Sequence, residues 1–414
     1  MQAQRVLNLN PYKPGEQPTD RTYIKLNANE NPYPPPPAVV EALVNKLSAS
    51  PLSLARYPDP DASALRNAIA AFLNETGGVL CRATAACGAD SACESDCACE
   101  LNSARESCSA CEADYARAAP CVPSARDAIP FTVTPDMIFT GNGSDEVLSF
   151  VFYSFFDSDR PLIQPEHTYS FYPVYAGYYG IPLVKVPLAP DYSLDTDAML
   201  AAAAEHDASL IFANPNAPTG IGMSRDEVRA FLNAAPKDRV HVVDEAYVDF
   251  GGESCIPLLA EFGNLVIVRT FSKSLSFAGM RLGYIVANPD LIRIVTRVKD
   301  SFNHFPVDTL ALTAGIAACA SAAYYADCAR KIADERDAFA SFLRENGWFV
   351  LPSQTNFVLA RKDSVSGKRA YEQIKRNGIL VRRFDTPGVE SFLRITIGTP
   401  AQMRALRTAI GDLQ

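Results

Sequence analysis

The chain has 414 residues and a net charge of −9, with 48% hydrophobic and 21% charged residues. This length and composition predict a globular protein of two packed domains, or of one large domain with an appendage, without a membrane-spanning segment. The excess of acidic residues argues against nucleic acid or an anionic membrane as a partner, because its field repels phosphate groups. The four histidines show no zincin-type spacing, so no metal site is expected. The first residues lack the layout of a secretory signal, which predicts a cytoplasmic protein.

The N-terminal residues 1–34 predict an extended arm. They lead into the proline run from Pro32 to Pro37, which favours an extended backbone over packed structure. Residues 35–300 follow as the large domain.

The large domain alternates short apolar runs with longer amphipathic stretches. This alternation predicts an α/β fold with a seven-stranded, mostly parallel sheet and helices on both faces. The seven predicted strands are Met137 to Thr140, Leu162 to Gln164, Leu183 to Val186, Leu210 to Ala213, Val240 to Val243, Leu265 to Arg269 and Tyr284 to Ala287. Ligands of such a sheet bind at the carboxyl ends of its strands.

Residues 301–414 predict a smaller α+β domain, because the pattern changes to long helical tracts and then to short apolar runs. The predicted helices run from Ala311 to Cys319 and from Tyr325 to Asn346. The predicted strands are Phe349 to Leu351, Phe357 to Ala360, Ile379 to Arg382 and Leu393 to Ile397.

Residues 76–132 differ in composition from the rest of the large domain, since Ala, Cys, Ser and acidic residues dominate and large aliphatic residues are few. This difference predicts an insertion. Eight of the 11 cysteines lie between Cys81 and Cys121, with only one C-x-x-C pair, which disfavours a zinc or iron–sulfur site. A cytoplasmic location disfavours disulfides. From Cys93 to Tyr115, apolar residues recur at spacings of three and four, which favours a helical excursion, or a helix pair, lying on the large domain, with partial disorder as the alternative. We expect this insertion to be dispensable for the chemistry, and the three remaining cysteines to be buried.

Four side chains that follow neighbouring predicted strands indicate a cofactor. Asp244 and Tyr247 follow one apolar run, and Lys273 and Arg281 follow the next. Pyridoxal phosphate needs a lysine for its Schiff base, an acid for its pyridinium nitrogen and an arginine for its phosphate. The constellation therefore predicts a pyridoxal-phosphate site at this edge of the sheet.

Further residues complete the predicted site. Gly141 and Gly143 stand between a strand and a helix, a turn that lets backbone N–H groups approach a phosphate. Ser272 can donate to the same phosphate, and Tyr169 can stack its ring on the pyridine.

Seven short segments of the chain resemble segments of the fold type I pyridoxal-phosphate transferases and, within that group, of the histidinol-phosphate aminotransferases. They lie at 26–32, 56–60, 143–146, 244–247, 270–273, 279–283 and 393–398. The resemblance implies that Ser144 and Asp145 contact the cofactor phosphate, and that Tyr57 reaches the cofactor of a neighbouring subunit in a homodimer. It implies that Arg382 and Arg394 hold the phosphate of histidinol phosphate, with 2-oxoglutarate accepting the amino group as glutamate.

The match departs from the family at one cofactor position. Many relatives carry an asparagine where this chain has Ala217, so Asn216 is the expected substitute.

Other functions of the same fold stay open at this point. An aminotransferase for aromatic amino acids or a phosphothreonine decarboxylase would use the same cofactor residues, and Arg394 would serve a carboxylate as well as a phosphate. A regulatory protein that binds the cofactor without catalysis is disfavoured, because no helix-turn-helix segment precedes residue 20.

Overall fold

The computed structural model describes residues 18–81 and 131–411, together with positions 6, 9, 11, 12, 15 and 16. The helix predicted from Cys93 to Tyr115, and the rest of the cysteine-rich segment from 82 to 130, lie outside the described residues. Cys255, Cys319 and Cys328 are buried free thiols, as predicted. Within the described ranges, no cluster of histidine, cysteine, aspartate and glutamate is suited to hold a metal ion.

The large domain is built on one seven-stranded sheet, as predicted. Its strands are β2 (Ile138–Gly141), β3 (Leu162–Pro165), β4 (Leu183–Val186), β5 (Ser209–Ala213), β6 (His241–Asp244), β7 (Leu265–Thr270) and β8 (Gly283–Ala287). They are ordered β2-β8-β7-β6-β5-β3-β4, and β8 runs antiparallel to both of its neighbours. The remaining five strands pair in parallel. The ends of β6 and β7 therefore lie side by side at one edge of the sheet.

Both faces of this sheet are covered by helices. Successive strand residues point to opposite faces, and both sets are buried in apolar clusters, as in Val242 and Val243 of β6. One face packs against α3 (Gly143–Phe155), α4 (Tyr172–Tyr179) and α7 (Pro289–Phe302). The other face packs against α1 (Pro37–Ala49), α2 (Ser63–Thr76), α5 (Thr196–His206), α6 (Arg225–Ala234) and α8 (Thr309–Cys319).

The smaller domain surrounds a four-stranded antiparallel sheet in the order β12-β13-β10-β9. Its strands are β9 (Phe349–Val350), β10 (Phe357–Arg361), β12 (Arg382–Arg383) and β13 (Leu393–Thr396), and its helices are α9 (Ala322–Glu345), α10 (Gly367–Arg376) and α11 (Pro400–Gly411). The helix α8 joins the core of the large domain instead, through Ala311, Ala314 and Ala318. The division of the chain at residue 300 stays a prediction.

Two expectations need correction. The single strand predicted from Ile379 to Arg382 is two strands, because β11 (Ile379–Leu380) pairs with β1 (Ile24–Lys25) while Arg382 pairs with β13. The extended arm is packed over part of its length, since β1 adds to β11 and Leu26 is buried in the core of the smaller domain. Burial of an apolar side chain, together with a parallel strand pair, fixes this segment against the domain.

Among the described residues, no single helix is long and apolar enough to cross a membrane, whereas α8 and α9, bent by 80°, pass that test only when taken together.

Candidate active site

Lys273 and Asp244 lie near the ends of the adjacent parallel strands β7 and β6. Asp244 is the last residue of β6 and pairs in register with Val268, so β7 continues past it and delivers Lys273 just beyond its own end. The Lys273 side chain is half-buried, with Nζ 3.4 Å from the carbonyl oxygen of Ala28 and 5.8 Å from the centre of the Tyr247 ring. The structure thus brings together three of the residues that the sequence selected.

Asp244 is a buried acid held by two donors. Its side chain is almost wholly buried, with the residue only 4% exposed. Oδ2 accepts a hydrogen bond from Tyr172 Oη at 2.8 Å, and Oδ1 accepts one from the backbone N–H of Ala246 at 3.0 Å. Burial raises the pKa of this carboxyl to about 6, although the Tyr172 hydroxyl and the Ala246 N–H oppose the rise. A cation placed against Asp244 would restore its ionised form.

Tyr247 is fixed by a residue from the N-terminal segment. Asn29 Nδ2 donates to the Tyr247 hydroxyl at 2.8 Å, which leaves the phenolic hydrogen free to donate elsewhere. Asn29 is itself held on Thr396, whose Oγ1 lies 3.0 Å from both its backbone nitrogen and its Oδ1. Its positive φ of 55° is one that asparagine tolerates. The segment 26–32 therefore forms one wall of the site.

Backbone and side-chain donors converge at the start of α3. A Cβ added at Gly143 would lie 2.4 Å from Arg281 Nη2, and one added at Gly283 would lie 2.4 Å from the backbone nitrogen of Ser144. Only glycines allow this approach. Arg281 Nη1 lies 3.4 Å from Ser272 Oγ, so a guanidinium, a hydroxyl and a helix N-terminus share one place. This is a set of donors suited to a phosphate.

The carboxylate of Asp145 does not belong to that set of donors. It accepts from Arg281 Nη2 at 2.8 Å and from Tyr169 Oη at 2.7 Å. At this position, only the backbone N–H can serve a phosphate. The same hydrogen bond fixes the Tyr169 ring, and burial followed by the charge of Asp145 raises the pKa of that phenol well above its usual range. Contact of Ser144, Asp145 and Tyr169 with the cofactor stays a prediction.

Asn216 is buried, and its amide is already engaged. Nδ2 donates to the backbone oxygen of His167 at 2.9 Å and to Thr219 Oγ1 at 3.2 Å. Its Oδ1 is buried without a hydrogen-bond partner. As placed, Asn216 has no N–H left for an oxygen of the cofactor ring, and its role stays a prediction.

Two arginines of the smaller domain face the same region. Arg382 and Arg394 are directly opposite each other in the antiparallel pair of β12 and β13. Arg394 Nη2 lies 3.4 Å from the backbone oxygen of Asn27, one residue from the carbonyl that Lys273 contacts. Burial, and secondarily the charge of Arg382, lowers the pKa of Arg394. Across the described part of the chain, no carboxylate pairs with Arg394.

Tyr57 stands apart from these residues. It is 82% exposed, and its ring stacks on Phe305 with the centroids 4.6 Å apart and the planes 12° from parallel. Within one subunit it therefore faces outward rather than into the site described above.

The site residues fit pyridoxal phosphate. The lysine and the buried acid lie at adjoining strand ends, and the absence of a Cβ at Gly143 lets the Arg281 guanidinium come close to the start of α3. The aminotransferase class I and II family model matches residues 21–112 and 126–410. The chain belongs to this family. The predicted fold, cofactor and enzyme class are confirmed.

This aminotransferase has close relatives among curated proteins. It is 41% identical over 407 residues to the histidinol-phosphate aminotransferase of Syntrophus aciditrophicus, which covers 98% of this chain and 96% of that protein. It is 40% identical over 410 residues to the enzyme of the same name from Chromohalobacter salexigens, with the same coverage.

Solved structures share the fold of this aminotransferase. The histidinol-phosphate aminotransferase of Sinorhizobium meliloti, in complex with pyridoxal 5'-phosphate, superposes with a TM-score of 0.74 at 24% identity and covers 95% of this chain and 92% of that chain. The aspartate aminotransferase of Thermus thermophilus gives the same TM-score at 18% identity, with both chains fully covered.

Sequence reasoning missed a buried ionic network behind the aminotransferase site. Arg269 of β7 donates to Glu245 Oε2 at 2.9 Å and to Asp249 Oδ1 at 3.1 Å. Ser274 donates to the other oxygen of Asp249 at 2.5 Å. The network therefore ties the turn after Asp244 to the residue after Lys273. Arg269, a charged residue at the end of the apolar run Leu265 to Val268, was the feature of the sequence that could have indicated this network.

Proposed function

We propose that this aminotransferase transfers the amino group of histidinol phosphate to 2-oxoglutarate, a step of histidine biosynthesis. The observation that supports it most is the opposition of Arg382 and Arg394, with Arg394 next to the carbonyl of Asn27 and Lys273 next to that of Ala28. Guanidinium groups present several N–H donors in a planar arrangement that suits phosphate. A doubly charged phosphate between the two groups would accept charge-assisted bonds from both.

Aromatic rings beside Arg394 would shield a bound anion from water. The guanidinium lies 5.2 Å from the ring centre of Phe357 and 5.6 Å from that of Phe384. Its Nε is buried without a hydrogen-bond partner. An anion bound here would be partly withdrawn from water, where its bonds to arginine are strongest. The names of the relatives point to the phosphate of histidinol phosphate as that anion.

The catalytic roles of the residues follow from their places. Pyridoxal phosphate, when bound, supplies an electron sink for the pair released when the Cα–H bond of the substrate breaks. Lys273 Nζ would be the amine that bonds the cofactor and, once displaced by the substrate amine, would take the Cα proton as general base and release it again as general acid. Asp244 would keep a proton on the ring nitrogen, and Tyr247 would donate to the ring oxygen. Ser272, Arg281 and the start of α3 would hold the phosphate.

We also propose that the active form is a homodimer in which Tyr57 reaches the neighbouring cofactor phosphate. Stacking on Phe305 fixes the orientation of the exposed Tyr57 ring. Exposed apolar side chains lie on α1, on the turn after it and at the end of α7, namely Val40, Val44, Leu47, Leu52, Leu54 and Phe302. Exposed apolar side chains of this size are suited to an interface between subunits. The free thiols of Cys255, Cys319 and Cys328 support a cytoplasmic location of the enzyme.

A substrate panel tests the proposal. Histidinol phosphate, histidinol, phenylalanine and phosphothreonine are each supplied with 2-oxoglutarate while glutamate and carbon dioxide are measured. We expect the highest kcat/KM for histidinol phosphate and a loss of about 100-fold or more for histidinol, since two charge-assisted bonds are removed.

Other outcomes would select another function. A preference for phenylalanine would make the arginines a carboxylate site, and carbon dioxide from phosphothreonine would indicate the decarboxylase. If no amino donor changed the absorption of the bound cofactor, a non-catalytic regulator would be favoured.

A further inference from the structure

Tyr172 contacts Asp244 from a distant part of the chain. It is the first residue of α4, and its side chain is fully buried at 0% exposure. Its ring packs against Phe152 and, edge to face at 5.4 Å, against Tyr169. Across the described residues, the only hydrogen bond of its hydroxyl is the one to Asp244 Oδ2. Packing fixes the ring, so the hydroxyl has little choice of partner.

The two donors on Asp244 leave room for a third. An ionised carboxylate has about four acceptor positions. The Ala246 N–H occupies one on Oδ1, and Tyr172 occupies one on Oδ2. A protonated pyridine nitrogen can therefore donate to the same carboxylate without displacing either donor.

Protonation of Asp244 would weaken this arrangement. A hydrogen bond to an ionised carboxylate is stronger than one to the neutral acid, so the bonds from the Tyr172 hydroxyl and the Ala246 N–H both weaken when the carboxylate takes up a proton. The buried hydroxyl of Tyr172 therefore favours the ionised form of Asp244.

We propose that Tyr172 is a positioning residue that keeps Asp244 ionised and aimed at the ring nitrogen of the cofactor. The proposal concerns the cofactor and does not depend on which substrate is used. The neighbouring charges act in the opposite sense: the carboxylates of Asp145, at the start of α3, and Glu245, next to Asp244, both favour the protonated form. Tyr172 is the side-chain donor that offsets them.

Replacing Tyr172 with phenylalanine removes the hydroxyl and keeps the ring. The measurement uses the full chain freed of cofactor. The infrared C=O stretch of the protonated Asp244 carboxyl is recorded as a function of pH, and the band is assigned to Asp244 because it is missing in Asp244→Asn. The parent chain should titrate at a pH of about 6. In Tyr172→Phe the midpoint should rise by about one pH unit or more, and pyridoxal phosphate should bind about tenfold or more weakly.

Tyr325→Phe is the matched control. Tyr325 is also fully buried, but its hydroxyl has no hydrogen-bond partner, so both readings should equal those of the parent chain. In an Asp244→Asn background, Tyr172→Phe should cost no further cofactor affinity. An unchanged midpoint, or an affinity loss that persists in full in that background, would overturn the proposal. Should Tyr172→Phe not fold, fluorotyrosine at position 172, a stronger donor of nearly the same shape, must lower the midpoint.

Discussion

Asn74 and Val133 are joined by two hydrogen bonds across the gap where the cysteine-rich segment leaves the large domain. Asn74 Nδ2 donates to the Val133 carbonyl and the Val133 N–H donates to Asn74 Oδ1, both at 3.0 Å. These two bonds hold the residues before and after the segment next to each other. The first residues of the segment have partners of their own, since Arg269 donates to the carbonyl of Gly78 at 2.8 Å and Leu80 donates to Asp249 at 3.2 Å.

These contacts refine the prediction that the insertion is dispensable. Replacing residues 82–130 with a short glycine–serine linker should leave cofactor binding and turnover near those of the parent chain. Joining Asn74 directly to Val133 should cost about 1–3 kcal/mol of unfolding free energy, because it removes partners of the buried Arg269 and Asp249. Denaturant unfolding with cofactor titration measures both. A linker variant that binds cofactor but does not turn over would place a catalytic group in the insertion.

The arginine pair predicts a selective loss. Arg382→Ala should lower kcat/KM for histidinol phosphate by about 10- to 100-fold, as expected for one charge-assisted bond, and should change phenylalanine use much less. Arg383→Ala is the control, because Arg383 is the next residue of β12 and is paired with Asp385 at 2.5 Å. Equal losses for both donors in Arg382→Ala would contradict a phosphate role.

Asp244 predicts how the stability of the cofactor-free chain depends on pH. Its pKa in the folded chain is about 6, above the ordinary 3.8, so the folded state binds this proton more tightly than the unfolded state. The stabilisation is present at low pH and is lost as the pH rises through about 6. Relative to Asp244→Asn, the parent chain should lose about 2 kcal/mol of unfolding free energy between about pH 4.5 and pH 7. Parallel pH profiles for the two chains would refute the shift.

Tyr57 predicts recovery of activity in mixed dimers. Tyr57→Ala and Lys273→Ala should each be nearly inactive alone. Mixed in equal amounts and reassembled, they should regain about a quarter of the parent activity, because half of the dimers are hybrids and each hybrid has one intact site. If Tyr57 served its own subunit, no site would be restored, and mixing would change nothing.

The sequence located the residues that follow strands, because apolar runs mark the strands and parallel strands end at a common edge. Asp244, Lys273 and Arg281 were found in this way. It assigned no role to Asn29, within the matching segment 26–32, or to Tyr172, since their partners Tyr247 and Asp244 lie 218 and 72 residues away and no local pattern links them. It joined β11 and β12 into one strand for a related reason. Periodicity shows that a strand exists, but its pairing partner is chosen by tertiary packing.

The most direct test of the account is a single turnover without an amino acceptor. Histidinol phosphate added to the cofactor-loaded protein should change the cofactor absorption once and release one ketone per site. 2-Oxoglutarate should then restore the absorption with one glutamate per site. Lys273→Ala should be slower by about 10²-fold or more in each half, since it lacks the general base. Continued turnover without an acceptor, or equal rates in Lys273→Ala, would contradict a transamination carried by Lys273.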